Sequence, residues 1–175
     1  MFGLDNYRLA LSRSELSASL DENTSRFRTL LSSDVNSDAQ LRFVDCSGTR
    51  LCAVYIEGMA DDRKISDFIL RACVAHVAPP GQNIDAAYLM HKVLEIAQCE
   101  TEHRVCEILD AVVTGMTAVL IDGCDEAVML ETRGYPARQV NRTTNESVVI
   151  GAQEGFVESL RTNMTLMRRY VPPPD

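Results

Sequence analysis

The stretch that decides the fold is Thr117-Ala118-Val119-Leu120-Ile121, then Asp122-Gly123-Cys124-Asp125-Glu126, then Ala127-Val128-Met129-Leu130. Its two apolar runs, 117–121 and 127–130, are short and end at turn residues, so they read as strands rather than helices. Asp122-Gly123 joins them, and a dipeptide that tolerates positive φ suits a hairpin turn. A β-hairpin in the second half of the chain is therefore predicted.

Upstream, Val105, Ile108, Leu109 and Val112 recur at three and four, the spacing of one helical face, and Gly115 is placed to close that helix in the left-handed conformation. Asp85 can cap a preceding helix with Met90, Val93, Leu94 and Ala97 on one face, after a break at Pro79-Pro80-Gly81. Before the break, Leu51, Ala53, Val54, Tyr55 and Ile56 form a β-prone run that stops at Gly58. Asp61 or Asp62 then caps a helix bearing Ile65, Phe68, Ile69, Ala72, Cys73 and Val77. Leu41, Phe43 and Val44 form another β-prone run, divided from the next by Ser47-Gly48-Thr49, which is a second hairpin signal. Residues 14–31 place Leu16, Leu20, Phe27, Leu30 and Leu31 on one face of an amphipathic first helix.

Downstream, residues 153–170 carry Phe156, Val157, Leu160, Met164 and Met167 at helical spacing. Glu154 and Glu158 lie near its start and Arg161, Arg168 and Arg169 in its second half, which complements the helix dipole. Pro172-Pro173-Pro174 ends it. Two hairpins and five helices make an α/β or α+β fold with one mixed sheet of about four strands. The expected organisation is a flexible N-terminus at 1–13, a single α/β unit at 14–170, and a Pro-rich linker at 171–175.

Composition narrows the function classes. The chain has 175 residues, a formal net charge of -8 and 24% charged residues, and its pI is near 4.9. That charge opposes phosphate binding, so no nucleic-acid partner is expected. Cys46, Cys52, Cys73, Cys99, Cys106 and Cys124 include no CxxC pair and fall in core-like segments, which points to reduced, buried thiols rather than a disulfide framework or a zinc site. No run approaches the roughly 18 apolar residues of a membrane span.

Chemistry-bearing patterns are sparse. His76, His91 and His103 form no metal-binding arrangement, and His76, at the edge of an apolar helix face, reads as a packed residue. There is no Walker A sequence, no G-x-S-x-G and no G-x-G-x-x-G. Asp61-Asp62 and the group Asp122, Asp125 and Glu126 offer oxygen ligands for a hard cation, but capping and turn chemistry explain them better. Sequons at Asn141, Asn145 and Asn163 matter only in a secreted eukaryotic protein. No catalytic residue, cofactor or metal is assigned, and the chain is not read as an enzyme.

The segments Arg138-Gln139-Val140, Asn145-Glu146-Ser147-Val148-Val149, Gly151, Glu154-Gly155-Phe156 and Glu158-Ser159-Leu160-Arg161-Thr162-Asn163, ending in Leu166-Met167-Arg168-Arg169, carry a resemblance. They resemble the signature of GerA-family A subunits, whose pattern runs R-S-V, T-E-x-V-V, G-P-R-E-G-F, E-S-L-R-T-N and L-I-R-R-R-I. Residues 49–58, 65–70, Thr114-Gly115 and 119–123 are similar to the family too. The chain departs from the pattern at Thr143 and Ala152, where the family commonly has Pro, and at Ile150 and Gln153, where it commonly has Arg.

The resemblance implies the first of two related subdomains in the hydrophilic N-terminal region of a spore germinant receptor A subunit. Such a subunit acts with B and C subunits in the spore inner membrane, where germinant signals become ion release. It implies a membrane region and second subdomain after the linker, a homo-oligomer in the full-length protein, and a position for this domain on the cytoplasmic (core) side. The residues it marks as interface candidates are Glu146, Gly151, Glu154, Gly155, Phe156, Glu158, Arg161, Asn163, Arg168 and Arg169. A small-ligand module for amino acids or sugars, and the SpoVAF-type relative of the same family, are the alternative readings.

Overall fold

The computed structural model describes residues 14–134 and, beyond them, Asn163 and Met167. In chain order the elements are α1 (Leu20–Leu30), β1 (Ala39–Cys46), β2 (Thr49–Ile56), a π-helical stretch Lys64–Leu70 that runs into α2 (Arg71–Ala75), α3 (Ala86–Tyr88) running into a second π-helical stretch Leu89–Val93, β3 (Cys99–Glu102), α4 (Val105–Val113), β4 (Thr117–Ile121) and β5 (Ala127–Leu130). The five strands form one sheet in the order β1-β2-β4-β5-β3. Every neighbouring pair is antiparallel.

The class is thus α+β, one of the two expected, and the sheet differs from the expected mixed sheet of about four strands in two ways. It is antiparallel throughout the described residues. It also has a fifth strand, β3, whose Cys-Glu-Thr-Glu sequence lacks the apolar β signature and is held by pairing with β5 from Cys99↔Leu130 to Glu102↔Ala127.

Helices cover both faces of the sheet. On one face, Leu20, Phe27 and Leu31 around α1 and Val105, Ile108 and Val112 of α4 pack on Cys52, Val54, Ala118, Leu120, Ala127 and Met129. On the other, Ile65, Ile69, Cys73, Ile84, Leu89 and Val93 pack on Leu51, Ala53, Val119, Ile121, Val128 and Leu130. Alternate residues of β4 and β5 enter different cores, so every residue of both strands is buried. This explains a run that is apolar without alternation, since each strand needs apolar side chains on both faces. Each fully buried Leu or Ile contributes about 1.5–3 kcal/mol of transfer free energy.

Both strand ranges predicted for the second hairpin, 117–121 and 127–130, are those observed. The first hairpin closes through Ser47-Gly48 between paired Cys46 and Thr49. Both turn residues have positive φ, 48° and 89°, the signature of a type I′ turn whose twist matches the strands. The Asp45 carboxylate accepts from Gly48 N at 2.8 Å.

Three helix boundaries differ from the expected ones. The first helix starts at Leu20, with Ser19 as its cap, because residues 14–16 are extended and pair with 103–105 through Leu16 N to His103 O and Val105 N to Ser14 O. The helix after Asp61 ends at Ala75, where His76 turns extended, leaving Val77 outside it and 86% exposed. Asp85 does cap the next helix through Tyr88 N, but that helix stops at Val93, and Ala97 lies in the segment that enters β3.

Candidate interdomain junction and edge groove

Nine of the ten interface candidates, Glu146, Gly151, Glu154, Gly155, Phe156, Glu158, Arg161, Arg168 and Arg169, lie outside the described residues, as does most of the expected 153–170 helix. The tenth, Asn163, is helical and half-buried. Met167 is helical and 54% exposed. The described residues do show how the chain is handed on toward that region, and the site can be built there.

Past β5 the chain crosses three anchors. Glu131 N donates to Gln98 O at 3.1 Å, Asp61 N donates to Thr132 O at 2.8 Å, and Gly134 N donates to Met59 O at 3.3 Å. Arg133 also forms an antiparallel bridge with Ala60. Beneath them Thr117 and Thr132 are fully buried, with hydroxyls 2.8 Å apart. Thr132 donates its one hydroxyl proton to Gly115 O at 3.1 Å, so Thr117 is the donor of the pair. Among the described residues every buried side-chain polar atom has a partner. Removing the Thr132 hydroxyl would strand that of Thr117 in an apolar setting.

Two glycines permit this closeness. A Cβ on Gly115, whose φ is +101°, would sit 2.7 Å from Met59 O, and one on Gly134 would sit 2.7 Å from Asp61 Cα and 2.9 Å from Asp61 N. Residues 58–61 are thus wedged between the end of α4 and the departing chain. Asp61 also caps the π-helical stretch, its carboxylate accepting from Arg63 N at 2.9 Å and Lys64 N at 3.2 Å. One short loop therefore connects both helical layers to the exit of the chain. Lys64 Nζ reaches Arg133 O at 3.4 Å, and the Arg133 guanidinium pairs with Glu131 at 3.0 Å. Sequence reading gave Gly115 its capping role but marked neither Gly134 nor Thr132. Their function depends on Met59 and Asp61, more than 70 positions earlier, and no local pattern signals it.

Two hollows flank this exit. One of about 430 Å³ is lined by Ala97, Gln98, Glu100, Met116, Met129 and Arg133 among others. The second, of about 280 Å³, is lined by Lys64, Phe68, Glu95, Ile96, Ala97 and Gln98 with Glu131. They share Ala97, Gln98 and Glu131 at the start of the edge strand β3.

The remaining chemistry-bearing groups have structural roles. Asp122, considered as a cation ligand, accepts from Leu20 N at 3.3 Å and pairs with Arg50 at 3.0 Å. The Arg50 hydrogen bond first, and the Leu20 N–H second, hold its carboxyl below the ordinary aspartate range. Glu126 faces His103 at 3.9 Å. His76 shares a 3.0 Å hydrogen bond with the Tyr88 hydroxyl, and His91 is exposed. No group of three or more His, Cys, Asp or Glu is placed to hold a metal among the described residues.

None of the six cysteines is in a disulfide. Cys46, Cys52 and Cys73 are buried as expected, whereas Cys99, Cys106 and Cys124 are half-buried. Burial pushes the Cys52 and Cys73 thiols up to about 12, which makes them poor nucleophiles. No helix of the described residues is long and apolar enough to cross a membrane.

The model of the Bacillus/Clostridium GerA spore germination protein family matches residues 25–175. The chain belongs to the GerA family. Among curated relatives, an uncharacterised membrane protein, YfkQ, of Bacillus subtilis (strain 168) is 30% identical over 155 residues, covering 87% of this chain and 29% of the relative. Stage V sporulation protein AF of the same organism is 28% identical, covering 86% of this chain and 30% of the relative. Spore germination protein KA is 27% identical, covering 71% of this chain and 23% of the relative. The chain thus spans under a third of the length of these relatives.

The crystal structure of the N-terminal domain of the A subunit of the Bacillus megaterium spore germinant receptor GerK3 superposes with a TM-score of 0.67 at 19% identity, covering 90% of this chain and 56% of that one. At that identity the match shows a shared fold.

Proposed function

We propose that this chain is the first subdomain of the N-terminal region of a spore germinant receptor A subunit, working without catalysis of its own in germinant signalling and in assembly of a membrane ion-conducting complex. The observation that carries this reading is the family match across residues 25–175, joined to a fold shared with the N-terminal domain of a receptor A subunit over 90% of this chain. That the match covers 56% of the neighbour's domain supports a second subdomain after the linker at 171–175. The partners of the full-length protein are the B and C subunits and further copies of itself. Its place is the spore inner membrane, reached through the region beyond Asp175, with this domain on the cytoplasmic (core) side.

Within this reading, the junction formed by Met59, Asp61, Gly115, Thr132 and Gly134 sets the direction in which the chain leaves the sheet. It ties that direction to both helical layers. A signal arriving at either layer moves the exit, since packed interiors transmit displacement rather than absorb it.

The test uses the full-length protein, tagged in its own spores. Co-purification of the B and C subunits from detergent-solubilised inner membrane, together with loss of nutrient-triggered ion release when the gene is deleted, is expected. Normal nutrient responses in the deletion strain, with no subunit co-purifying, would exclude the receptor role and leave the SpoVAF-type relative as the better reading.

A further inference from the structure

β3 is an edge strand of the sheet. It pairs only with β5, Glu131 N donates to Gln98 O, and just past β3 the outer side is taken by residues 14–16, whose Leu16 N donates to His103 O. Antiparallel ladders alternate bonded and non-bonded pairs, so Gln98, Glu100 and Glu102 turn their backbone groups toward β5, while Cys99 and Thr101 turn theirs away from the sheet. Neither Cys99 nor Thr101 has a backbone partner on that outer side among the described residues. Such an open row of donors and acceptors is a template for another strand.

The side chains around this edge differ by face. Glu100 and Glu102 stand opposite Met129 and Ala127, so they share the face covered by α1 and α4, next to the 430 Å³ hollow. Glu102 is engaged with Arg104 at 3.5 Å, whereas Glu100 has no ion-pair partner among the described residues. On the opposite face, the 280 Å³ hollow offers the rings and methyl groups of Phe68, Ile96 and Ala97, rimmed by Glu95, which is likewise unpaired. Phe68 is 41% exposed, whereas Ile65 and Ile69 of the same helix are buried. An added strand sends successive side chains to opposite faces, so it would meet an acidic face and an apolar face in alternation.

We propose that the β3 edge is a docking site for an extended segment of a partner protein in which basic and apolar residues alternate. The segment hydrogen-bonds the outward backbone groups of Cys99 and Thr101. Its basic residues face Glu100 and its apolar residues enter the hollow over Phe68 and Ile96. Main-chain bonds supply affinity and the two hollows supply specificity, as in other strand-addition complexes. The unpaired carboxylates favour a basic occupant over an acidic one through field complementarity.

The probe is the peptide acetyl-Lys-Val-Lys-Val-Lys-Thr-Lys-amide, added to the 175-residue chain labelled with nitrogen-15, and the readout is amide hydrogen exchange at Cys99 and Thr101. Slowed exchange at both positions is expected, with no effect from the peptide in which Lys is replaced by Glu. Thr101→Pro removes an outward N–H that the ladder to β5 does not use, so it should abolish binding at unchanged melting temperature. Where that variant proves unstable, the double variant Glu95→Lys/Glu100→Lys keeps the backbone and should weaken binding by about tenfold. The proposal is overturned if these amides are already protected in the free chain, which would mean that its own later residues cover the edge. Binding that survives both variants, or no slowing at all, overturns it equally.

Discussion

The β4–β5 hairpin and the edge strand β3 belong to one sheet, yet they hold strand geometry for opposite reasons. Every residue of the hairpin is buried, and its sequence is apolar because both faces are covered. β3 is the four residues Cys-Glu-Thr-Glu with no residue fully buried, and it is extended because β5 offers it a ladder. Strand formation at the centre is thus written in side chains, while at the edge it is imposed by a neighbour. The centre should carry the stability of the domain and the edge should carry almost none.

Leu120→Ala tests the stronger side of that contrast. Leu120 is fully buried between α1 and α4, so its truncation should lower unfolding free energy by about 2–5 kcal/mol, measured by urea denaturation. A loss no larger than an edge substitution gives would break the comparison. Thr132→Val probes the point where the centre runs into the exit. It leaves the Thr117 hydroxyl and the Gly115 carbonyl without their partner, and should cost about 1–3 kcal/mol by the same measurement.

A smaller effect is expected at the salt-bridged turn of the hairpin. Asp122 has a lowered pKa in the folded protein, owing chiefly to Arg50, so its contribution is whole above the unfolded-chain pKa of about 4. That contribution is lost as the pH falls through the folded value. Asp122→Asn should therefore flatten the acid side of a stability-versus-pH curve below about pH 4 and leave its shape unchanged above about pH 5. The smallest effect belongs to the edge itself. Thr101→Ala, at an exposed position of β3, should shift stability by less than about 0.5 kcal/mol. A large loss there would mean that the edge is a working part of the core.

The same contrast explains what could be read from the sequence. The hairpin 117–130, the type I′ turn at Ser47-Gly48 and the caps at Asp61, Asp85 and Gly115 are local patterns, and each is where it was expected. β3 leaves no local signal because Glu100 and Glu102 carry no apolar period. The first helix is shorter than its apolar spacing suggests because the pairing of residues 14–16 with 103–105 is non-local. The family segments from Arg138 to Arg169 declared the family but lie almost wholly outside the described residues. The junction that the described residues do contain depends on contacts between positions 59–61, 115 and 132–134, which no window of sequence brings together.

The most direct test of the functional account is the nutrient response of spores whose full-length protein carries Gly134→Val. The added side chain meets the Asp61 backbone at the exit, next to Met59 of one core and Ala60 of the other. The account predicts that, in spores matched for the abundance of the variant protein, nutrient-triggered ion release is strongly slowed or lost. Normal release at normal abundance would contradict it, because the direction in which the chain leaves the sheet would then have no bearing on signalling.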